Sequence, residues 1–518
     1  MSKKIHFMRE KDIITVNENI DSLMDKARNK EIQLIEPTLN EFIKVRQIIL
    51  DFIKKEKRII YGGYAWNNLI KKVEPTDVFY KDTDYTDVEF YSNKPIEDMK
   101  KICDILYAKG FKPIQGKSAQ HEDTYTIFVN FTGYCDISYM PSNVFYGAMI
   151  ENINGYRMIH PKFILVDILR QFNDPMTSFW RLDKNIKRGK IMMKHYPIEF
   201  NIKDKVSIPV LSGETIKLVN NILPLISKME HILFIGLVSY NVYTNPNVDL
   251  SKQTINYNNN PIEIISTKAP KDVETIYNYI VKYFIDKEDT NGFDDKILME
   301  QYFPFFQFTA KKVVFKYKGE IFLTIYGNNE KCVPYNEVKL NLDKSSSQST
   351  KVKIGTFNVC FMYNLIRFHQ SIVEKDNKNS SLYDSLMSQM IEKRNDFLDK
   401  QNKTILDETI YEDFKVNCLG DPISPVRKFM LSRRDRKLLP RSAIFPYDPE
   451  ERKDNYATDI YFFNNYSGNI INNPKEFIYN NKKDQIKIST ETNSSSTNSS
   501  SADSSSVSID LNYLTDSD

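Results

Sequence analysis

Three acidic residues stand in stretches that alternate between apolar and polar side chains, as β-strands do. Asp87 and Glu89 share one face of the stretch 85–91, and Val88 and Phe90 share the other. Neighbouring carboxylates repel each other, and a divalent cation is the usual reason for a protein to keep them together. The pair therefore suggests a metal site, although an acidic strand face is also typical of solvated surface.

The third carboxylate, Asp136, follows in the stretch 133–141. This stretch comes after another alternating one, 124–132, and the glycine between them predicts a tight antiparallel hairpin. If the strand of Asp136 lies beside that of Glu89, the three carboxylates can hold two Mg²⁺ ions. Two such ions bind the attacking and leaving oxygens of an in-line phosphoryl transfer.

A diglycine precedes these carboxylates. The apolar run at 58–61 predicts a short buried strand, Gly62 and Gly63 interrupt it, and helical spacing follows. The N-terminus of a helix presents unpaired N–H groups and the positive end of a dipole. We therefore expect Gly62 and Gly63 to lie against a phosphate, with a simple turn as the alternative.

A second charged feature lies on a predicted helix, 177–195, that follows the predicted helix 163–172. Lys184 and Arg188 are one turn apart on it, and Arg181 lies one turn earlier on the same face. Cations arranged in this way can bind a triphosphate or an RNA backbone. The alternative interpretation is a solvated basic face.

These motifs resemble the catalytic subunits of poxvirus and giant-virus (mimivirus-like) poly(A) polymerases, which are DNA polymerase β-type nucleotidyltransferases. The resemblance covers about residues 40–197 and rests on four segments: YGGYAWN at 61–67, DVEFYS at 87–92, GYCDISYMP at 133–141 and the stretch 160–188. Two departures matter. Many members of the superfamily have Gly-Ser where this chain has Gly62-Gly63, and they often have Asp where this chain has Glu89.

The resemblance implies a template-independent polynucleotide adenylyltransferase that adds AMP from ATP to the 3′-OH of viral mRNA. Asp87 and Glu89 would bind both metal ions, Mg²⁺ or Mn²⁺. Asp136 would hold the catalytic ion and help to activate the RNA 3′-OH. The predicted contacts to the ATP phosphates are Gly62, Gly63, Lys184 and Arg188.

Two other functions remain open at this point: another terminal nucleotidyltransferase, uridylyl- or CCA-adding, and a catalytically inactive RNA-binding subunit. The poxvirus relatives use a separate methyltransferase subunit as processivity factor, whereas a duplicated domain and a basic segment would let this chain act alone or as a homodimer; length and charge do not decide between these. The resemblance to viral enzymes places the work in the host cytoplasm, in the viral factory, or in the virion.

Further helices and strands are predicted on either side of the motifs. A capping-box pattern at 38–41 opens a helix with an apolar stripe, which leads into the strand at 58–61, and residues 95–110 predict a further helix. Together these elements predict an α/β (α+β) nucleotidyltransferase fold, a mixed sheet flanked by helices, over residues 38–200. We expect the N-terminal extension, residues 1–37, to pack against this domain.

The second half of the chain repeats the pattern of the first. Residues 232–241 echo 59–68 at an offset of 173, and residues 261–268 echo 87–94 at an offset of 174. We infer an internal duplication that gives a degenerate nucleotidyltransferase-like domain over residues 201–400. This copy has Pro261 in the place of Asp87 and no counterpart of Asp136 in the stretch 320–324, so its role would be structural or RNA-holding.

The C-terminal region, residues 401–485, contains the densest positive charge, +5 over residues 421–441. Phosphate contact by such clusters is independent of sequence and sensitive to salt, and a solvated surface is the alternative. The acidic Ser/Asn-rich stretch 486–518 predicts a disordered tail. The predicted RNA contacts are Arg427, Lys428, Arg433, Arg434, Arg436 and Lys437.

Composition agrees with a nucleic-acid enzyme of two or three domains. The 518 residues are 41% hydrophobic and 27% charged, as in soluble globular proteins, and no apolar run is long enough to span a bilayer. The stretch 489–518 has five acidic residues and no Lys or Arg, so the formal net charge of +3 leaves +8 for the rest of the chain. The five cysteines are scattered, which argues against zinc and structural disulfides and favours a reducing compartment.

Overall fold

The computed structural model describes residues 8–35, 39–81, 84–119, 123–197, 208–286, 296–328, 332–341 and 349–421. The chain divides into two compact units. The first unit holds the residues up to Tyr139 together with Ile150–Ile159, and the second holds Met140–Met149 and the residues from His160 onward.

The first unit is built on a seven-stranded mixed sheet with the order β3-β4-β5-β2-β1-β7-β6. The strands are β1 (Ile59–Tyr61), β2 (Val88–Ser92), β3 (Ile114–Ser118), β4 (Thr124–Val129), β5 (Thr132–Tyr139), β6 (Ile150–Ile153) and β7 (Tyr156–Ile159). The helices are α1 (Glu10–Ile35), α2 (Leu39–Lys55), α3 (Gly62–Val73) and α4 (Pro95–Ala108).

Helix α2 shows why this sequence covers the sheet with helices. Phe42, Ile49 and Ile53 recur at helical spacing, and each is at most 1% exposed. Phe42 stacks on the ring of Tyr134 from β5, with 5.0 Å between the ring centroids. The apolar face of α2 thus packs against the sheet, as the sequence predicted.

The second unit contains a nine-stranded sheet whose main path is β11-β12-β13-β10-β8-β15-β14-β16, with β9 paired to β14. The strands are β8 (Ile232–Ile235), β9 (Thr254–Asn256), β10 (Ile262–Ser266), β11 (Ile297–Tyr302), β12 (Lys312–Tyr317), β13 (Glu320–Gly327), β14 (Val333–Asn341), β15 (Ser349–Gly355) and β16 (Cys418–Leu419). The helices are α5 (Ser142–Gly147), α6 (Pro161–Phe172), α7 (Pro175–His195), α8 (Gly213–Ile226), α9 (Gly236–Thr244), α10 (Ala269–Asp286), α11 (Phe357–Val373) and α12 (Asn377–Gln401).

The two sheets share the same strand order and the same pairing directions. The antiparallel pair β1–β2 corresponds to β8–β10, the parallel pair β2–β5 to β10–β13, and the parallel pair β1–β7 to β8–β15. This shared topology is what an internal duplication predicts, and the mixed α/β fold expected from the sequence is confirmed.

One detail of the predicted repeat is wrong. Gly62 and Gly236 each begin a helix directly after a strand, with φ of +64° and +62°. They are therefore equivalent, and the offset between them is 174, as in the second segment. The predicted offset of 173 would have matched Gly236 with Gly63. The backbone conformation at the junction identifies the equivalent glycine, because residues with a side chain rarely adopt it.

Three further expectations need correction. Helix α1 forms, but its side chains over residues 8–30 are almost all exposed, so the predicted packing of the N-terminal extension is not found there. Cys332 and Cys418 form a disulfide between neighbouring strands, with 5.1 Å between their Cα atoms, against the expectation of no structural disulfide. Strand pairing, which cysteine spacing does not reveal, brings the two together. Helix α3 starts at Gly62, so the diglycine is its first turn and does not precede it.

No helix of the described ranges is long and apolar enough to cross a membrane.

Candidate active site

The parallel pairing of β2 with β5 brings two of the three carboxylates together. Glu89 lies directly opposite Asp136 in this pairing, on the same face of the sheet. The sequence had suggested that Asp87 lies within the strand. In the structure it is the exposed residue immediately before β2. The alternating neighbours Val88, Phe90 and Ile137 are fully buried, which fixes the carboxylates on the opposite face.

The charges of all three carboxylates act on the buried thiol of Cys135, which lies beside Asp136 on β5. Burial raises the pKa of the Cys135 thiol well above its usual range, and the charges of Asp136, Asp87 and Glu89 raise it further. A single buried thiol is therefore within reach of all three groups. Glu89 and Asp136 therefore lie side by side on β2 and β5, with Asp87 directly before β2.

Glu89 also contacts the diglycine. The backbone N–H of Gly63 donates a 2.7 Å hydrogen bond to Oε2 of Glu89. A Cβ atom on Gly62 would overlap the Glu89 carboxylate, so no larger residue fits there without a shift. The N-terminus of α3 thus binds a carboxylate of the chain itself, in a position where the sequence suggested a phosphate.

The carboxylates have the right chemistry for a hard divalent cation, since carboxylate oxygens are the ligands that Mg²⁺ prefers. Within the described part of the chain, however, no three His, Cys, Asp or Glu side chains are arranged to hold a metal ion. The oxygens of Asp87, Glu89 and Asp136 therefore do not converge on one point.

One hydroxyl group contacts an acid of this site, and sequence reasoning missed it. Oγ1 of Thr126 donates a 2.5 Å hydrogen bond to Oδ1 of Asp136. Two residues along the same strands, Oγ of Ser138 is 2.6 Å from the Tyr61 hydroxyl and 2.8 Å from that of Thr124. The alternation of apolar and polar residues at 124–132 predicts the strand that carries Thr126. It does not predict which residue of β5 faces Thr126, because that register depends on the geometry of the hairpin.

The second unit keeps only one carboxylate of this arrangement. Glu263 is paired with Thr324 across β10 and β13, as Glu89 is with Asp136, and Pro261 precedes β10 as Asp87 precedes β2. Glu263 forms an ion pair with Arg367 of α11. The chain's own guanidinium therefore neutralises the carboxylate in this copy, and the loss of the other two acids agrees with the sequence prediction.

The predicted basic residues lie on α7. Arg181 and Lys184 are exposed and Arg188 is half-buried on α7, which belongs to the second unit, whereas the acidic cluster belongs to the first. The six predicted RNA contacts between Arg427 and Lys437, and the acidic tail, lie outside the described residues.

A mixed sheet with paired carboxylates beside a helix that begins at a glycine defines the class of nucleotidyltransferase-like folds. Residues 47–178 match the model of the family described as "Poly(A) polymerase catalytic subunit". Residues 231–481 match a second one, described as "APMV, Putative poly(A) polymerase, catalytic subunit, C-terminal".

Individual relatives extend this match over most of the chain. A "Putative poly(A) polymerase catalytic subunit" of Acanthamoeba polyphaga mimivirus is 32% identical over 492 residues, which cover 90% of this chain and 83% of the relative. A protein of the same description from African swine fever virus (strain Badajoz 1971 Vero-adapted) is 29% identical over 158 residues, 29% of this chain and 33% of that one. The crystal structure of the Megavirus polyadenylate synthase superposes with a TM-score of 0.73 at 29% identity and covers 92% of this chain and 95% of that chain.

The chain belongs to the family of poly(A) polymerase catalytic subunits. The resemblance drawn from its motifs is thereby confirmed, and the enzyme class is that of the polynucleotide adenylyltransferases.

Proposed function

We propose that this chain extends the 3′ end of RNA with AMP from ATP, without a template, through the carboxylates of its first unit. The observation that carries the proposal is the direct pairing of Glu89 with Asp136 across β2 and β5, within the segment that matches the family. Two hard oxygen ligands on neighbouring strands, with Asp87 beside them, form the donor set that phosphoryl transfer needs.

In this proposal Asp87, Glu89 and Asp136 hold Mg²⁺ or Mn²⁺. When bound, these ions supply charge neutralisation at the phosphates and lower the pKa of the attacking hydroxyl. The protein contributes position: the sheet holds Glu89 and Asp136 in register, and the N–H of Gly63 fixes one oxygen of Glu89. The 3′-hydroxyl releases its proton to solvent, its oxygen bonds to the α-phosphorus of ATP, the α–β phosphoanhydride bond breaks, and pyrophosphate leaves.

The triphosphate and the RNA need cations besides the metal ions. We assign Lys184 and Arg188 to the triphosphate, since both stand on one face of α7. The start of α3 at Gly62-Gly63 would contribute the positive end of its helix dipole, since the N–H of Gly63 itself is bonded to Glu89. The basic segment would hold the tail through contacts that are independent of sequence: Arg427, Lys428, Arg433, Arg434, Arg436 and Lys437.

The assembly we propose is a homodimer that works in the host cytoplasm. Helix α1 supports it, because Ile13, Val16, Ile20 and Leu23 follow the spacing of a coiled-coil seam and are 37–55% exposed. Light scattering tests this: we expect twice the 60.8 kDa chain mass for the wild type and the single mass for Ile20→Glu. A wild-type protein with the single mass at micromolar concentration contradicts the homodimer and favours a separate processivity subunit, such as a methyltransferase.

Extension of a 5′-labelled, unstructured RNA with each of the four NTPs separately tests the proposed reaction. Long tails with ATP alone, dependent on Mg²⁺ or Mn²⁺, are the expected result. Tails made from UTP or CTP would instead identify another terminal nucleotidyltransferase, and RNA binding without extension would identify an inactive subunit.

A further inference from the structure

We propose that Thr126 is a positioning residue for Asp136: its hydroxyl holds the carboxylate in the orientation that binds the metal ion. This inference rests on the proposed function, since it concerns the same site. The residues face each other across the antiparallel pair β4–β5, and Oγ1 of Thr126 lies 2.5 Å from Oδ1 of Asp136.

The geometry assigns the hydrogen bond a direction. An ionised carboxylate can only accept, so the threonine hydroxyl must donate, and a bond to a charged acceptor is short and strong. The half-buried Thr126 is β-branched, so its χ1 angle has few alternatives in a strand. A stiff donor therefore restricts the rotation of the Asp136 side chain before a cation binds. Less rotational freedom is then lost on binding.

The second unit of the same chain provides an internal comparison. Val314 and Thr324 face each other there across β12–β13, and they correspond to Thr126 and Asp136. The carboxylate and its hydroxyl donor are thus both missing from the copy that has lost the acidic cluster. If the hydroxyl served only to hold the two strands together, the second sheet, which keeps the same pairing, would need it equally.

Ligands of metal ions are commonly oriented by outer partners in this way, and loss of such a partner typically costs about 10–100-fold in metal affinity or activity. Thr126→Val keeps the shape of the side chain and copies the residue of the second unit. Thr126→Ser keeps the hydroxyl. Thr124→Val is the matched control, because Thr124 lies on the same strand and its hydroxyl is 2.8 Å from that of Ser138, two residues along β5 from Asp136.

Mn²⁺ binding to the full-length chain, followed by the electron paramagnetic resonance signal of free Mn²⁺, tests the proposal without RNA or ATP. We expect Thr126→Val to weaken binding by about 10–100-fold and to raise the metal concentration for half-maximal tail synthesis correspondingly. Thr126→Ser and Thr124→Val should bind Mn²⁺ like the wild type, and melting curves should show that every variant is folded at the assay temperature. Thr126→Ala replaces Thr126→Val if the latter fails to fold.

Asp136→Ala separates the two possible failures. If it abolishes Mn²⁺ binding while Thr126→Val binds like the wild type, the role of Thr126 is overturned and the proposed function stands. If Asp136→Ala itself binds Mn²⁺ and synthesises tails normally, the proposed function fails, and the role of Thr126 fails with it.

Discussion

At Gly62, the conformation of one residue and the position of a carboxylate depend on each other. Its φ of +64° is rarely adopted by residues with a side chain, and the space that a Cβ would need holds the Glu89 carboxylate. Gly236 in the second unit has the same conformation and the same neighbour, Glu263, without the other two acids. In both units the glycine therefore leaves the space that the carboxylate occupies, with or without the other two acids.

We predict that Gly62→Ala destroys most of the polymerase activity, because it displaces Glu89, and a misplaced group costs about 100-fold in rate. Gly236→Ala carries the same conformational strain, about 1–2 kcal/mol, in a copy that lacks the acids. Tail synthesis and melting temperature are measured for both. Equal losses of activity in the two variants would show that the effect of Gly62→Ala is only a loss of stability.

Asp413 gives the protein a pH-dependent stability. Burial raises its pKa to about 7, although the charge of Arg394 works in the opposite direction. The folded state then binds a proton between about pH 4 and pH 7 that the unfolded chain has released, so stability falls as the pH rises through this window.

Unfolding by denaturant at pH 5 and pH 8 checks this prediction. From pH 5 to pH 8, we expect the free energy of unfolding of the wild type to fall by up to about 3 kcal/mol relative to that of Asp413→Asn. The fall is smaller if the carboxyl stays partly hydrated. Parallel pH profiles for the two proteins would contradict the assignment.

At the scale of elements, a buried ion pair joins β1 to α4. The Arg58 guanidinium donates two hydrogen bonds, of 2.6 and 2.8 Å, to the carboxylate of Asp98, which also accepts one from Ser92 at the end of β2. In the second unit Ser266 and Asp272 repeat the last contact, but Ile232 stands in the place of Arg58. Burial there raises the pKa of Asp272.

Arg58→Met should destabilise the protein by about 3–5 kcal/mol, since it leaves the charge of Asp98 buried without its partner. Lys72→Met provides the control, because it removes an exposed ion pair of the same unit, 3.2 Å from Glu151, and such pairs contribute about 0–1 kcal/mol. Denaturant unfolding measures both. A cost for Arg58→Met as small as that of the control would contradict a stabilising role for this buried ion pair.

Elements with strong periodicity could be predicted from the sequence, and contacts between strands could not. Helix α2 and the junction of β1 with α3 follow from apolar spacing and a diglycine, and the predicted boundaries lie within a few residues. The pairing of Thr126 with Asp136 and the disulfide between Cys332 and Cys418 depend on strand register, which no local pattern encodes. The candidate acids were therefore found from the sequence, and their supporting residues were not.

At the scale of the whole molecule, two units of one topology have different sites. The first presents an acidic cluster, whereas the remaining carboxylate of the second, Glu263, forms an ion pair with Arg367. The guanidinium of Arg367 also lies over the ring of Tyr326. The sequence showed which acids the second copy lacks. It did not show this replacement, because α11 is remote in sequence from β10.

RNA binding should depend on salt through the basic C-terminal segment. We predict that changing Arg433, Arg434 and Arg436 to Ser weakens binding of single-stranded RNA and lowers the salt slope by about 0.7 for each phosphate that the variant no longer neutralises. The control changes three exposed cations of α1: Lys26, Arg28 and Lys30. Fluorescence anisotropy at several salt concentrations measures the slopes, and equal slopes for the two triple variants would contradict a specific role for the segment.

The most direct test of catalysis by the first unit compares the same position in the two units. Asp136→Ala and Asp87→Ala alter the first unit, and Thr324→Val alters the residue that corresponds to Asp136 in the second. Single-turnover addition of AMP to a labelled RNA, with folding checked by melting temperature, measures the chemical step. We predict that both Asp variants lose AMP addition to the level of the reaction without enzyme, while Thr324→Val keeps the wild-type rate. AMP addition at the wild-type rate by either folded Asp variant would contradict the assignment of catalysis to the carboxylates of the first unit.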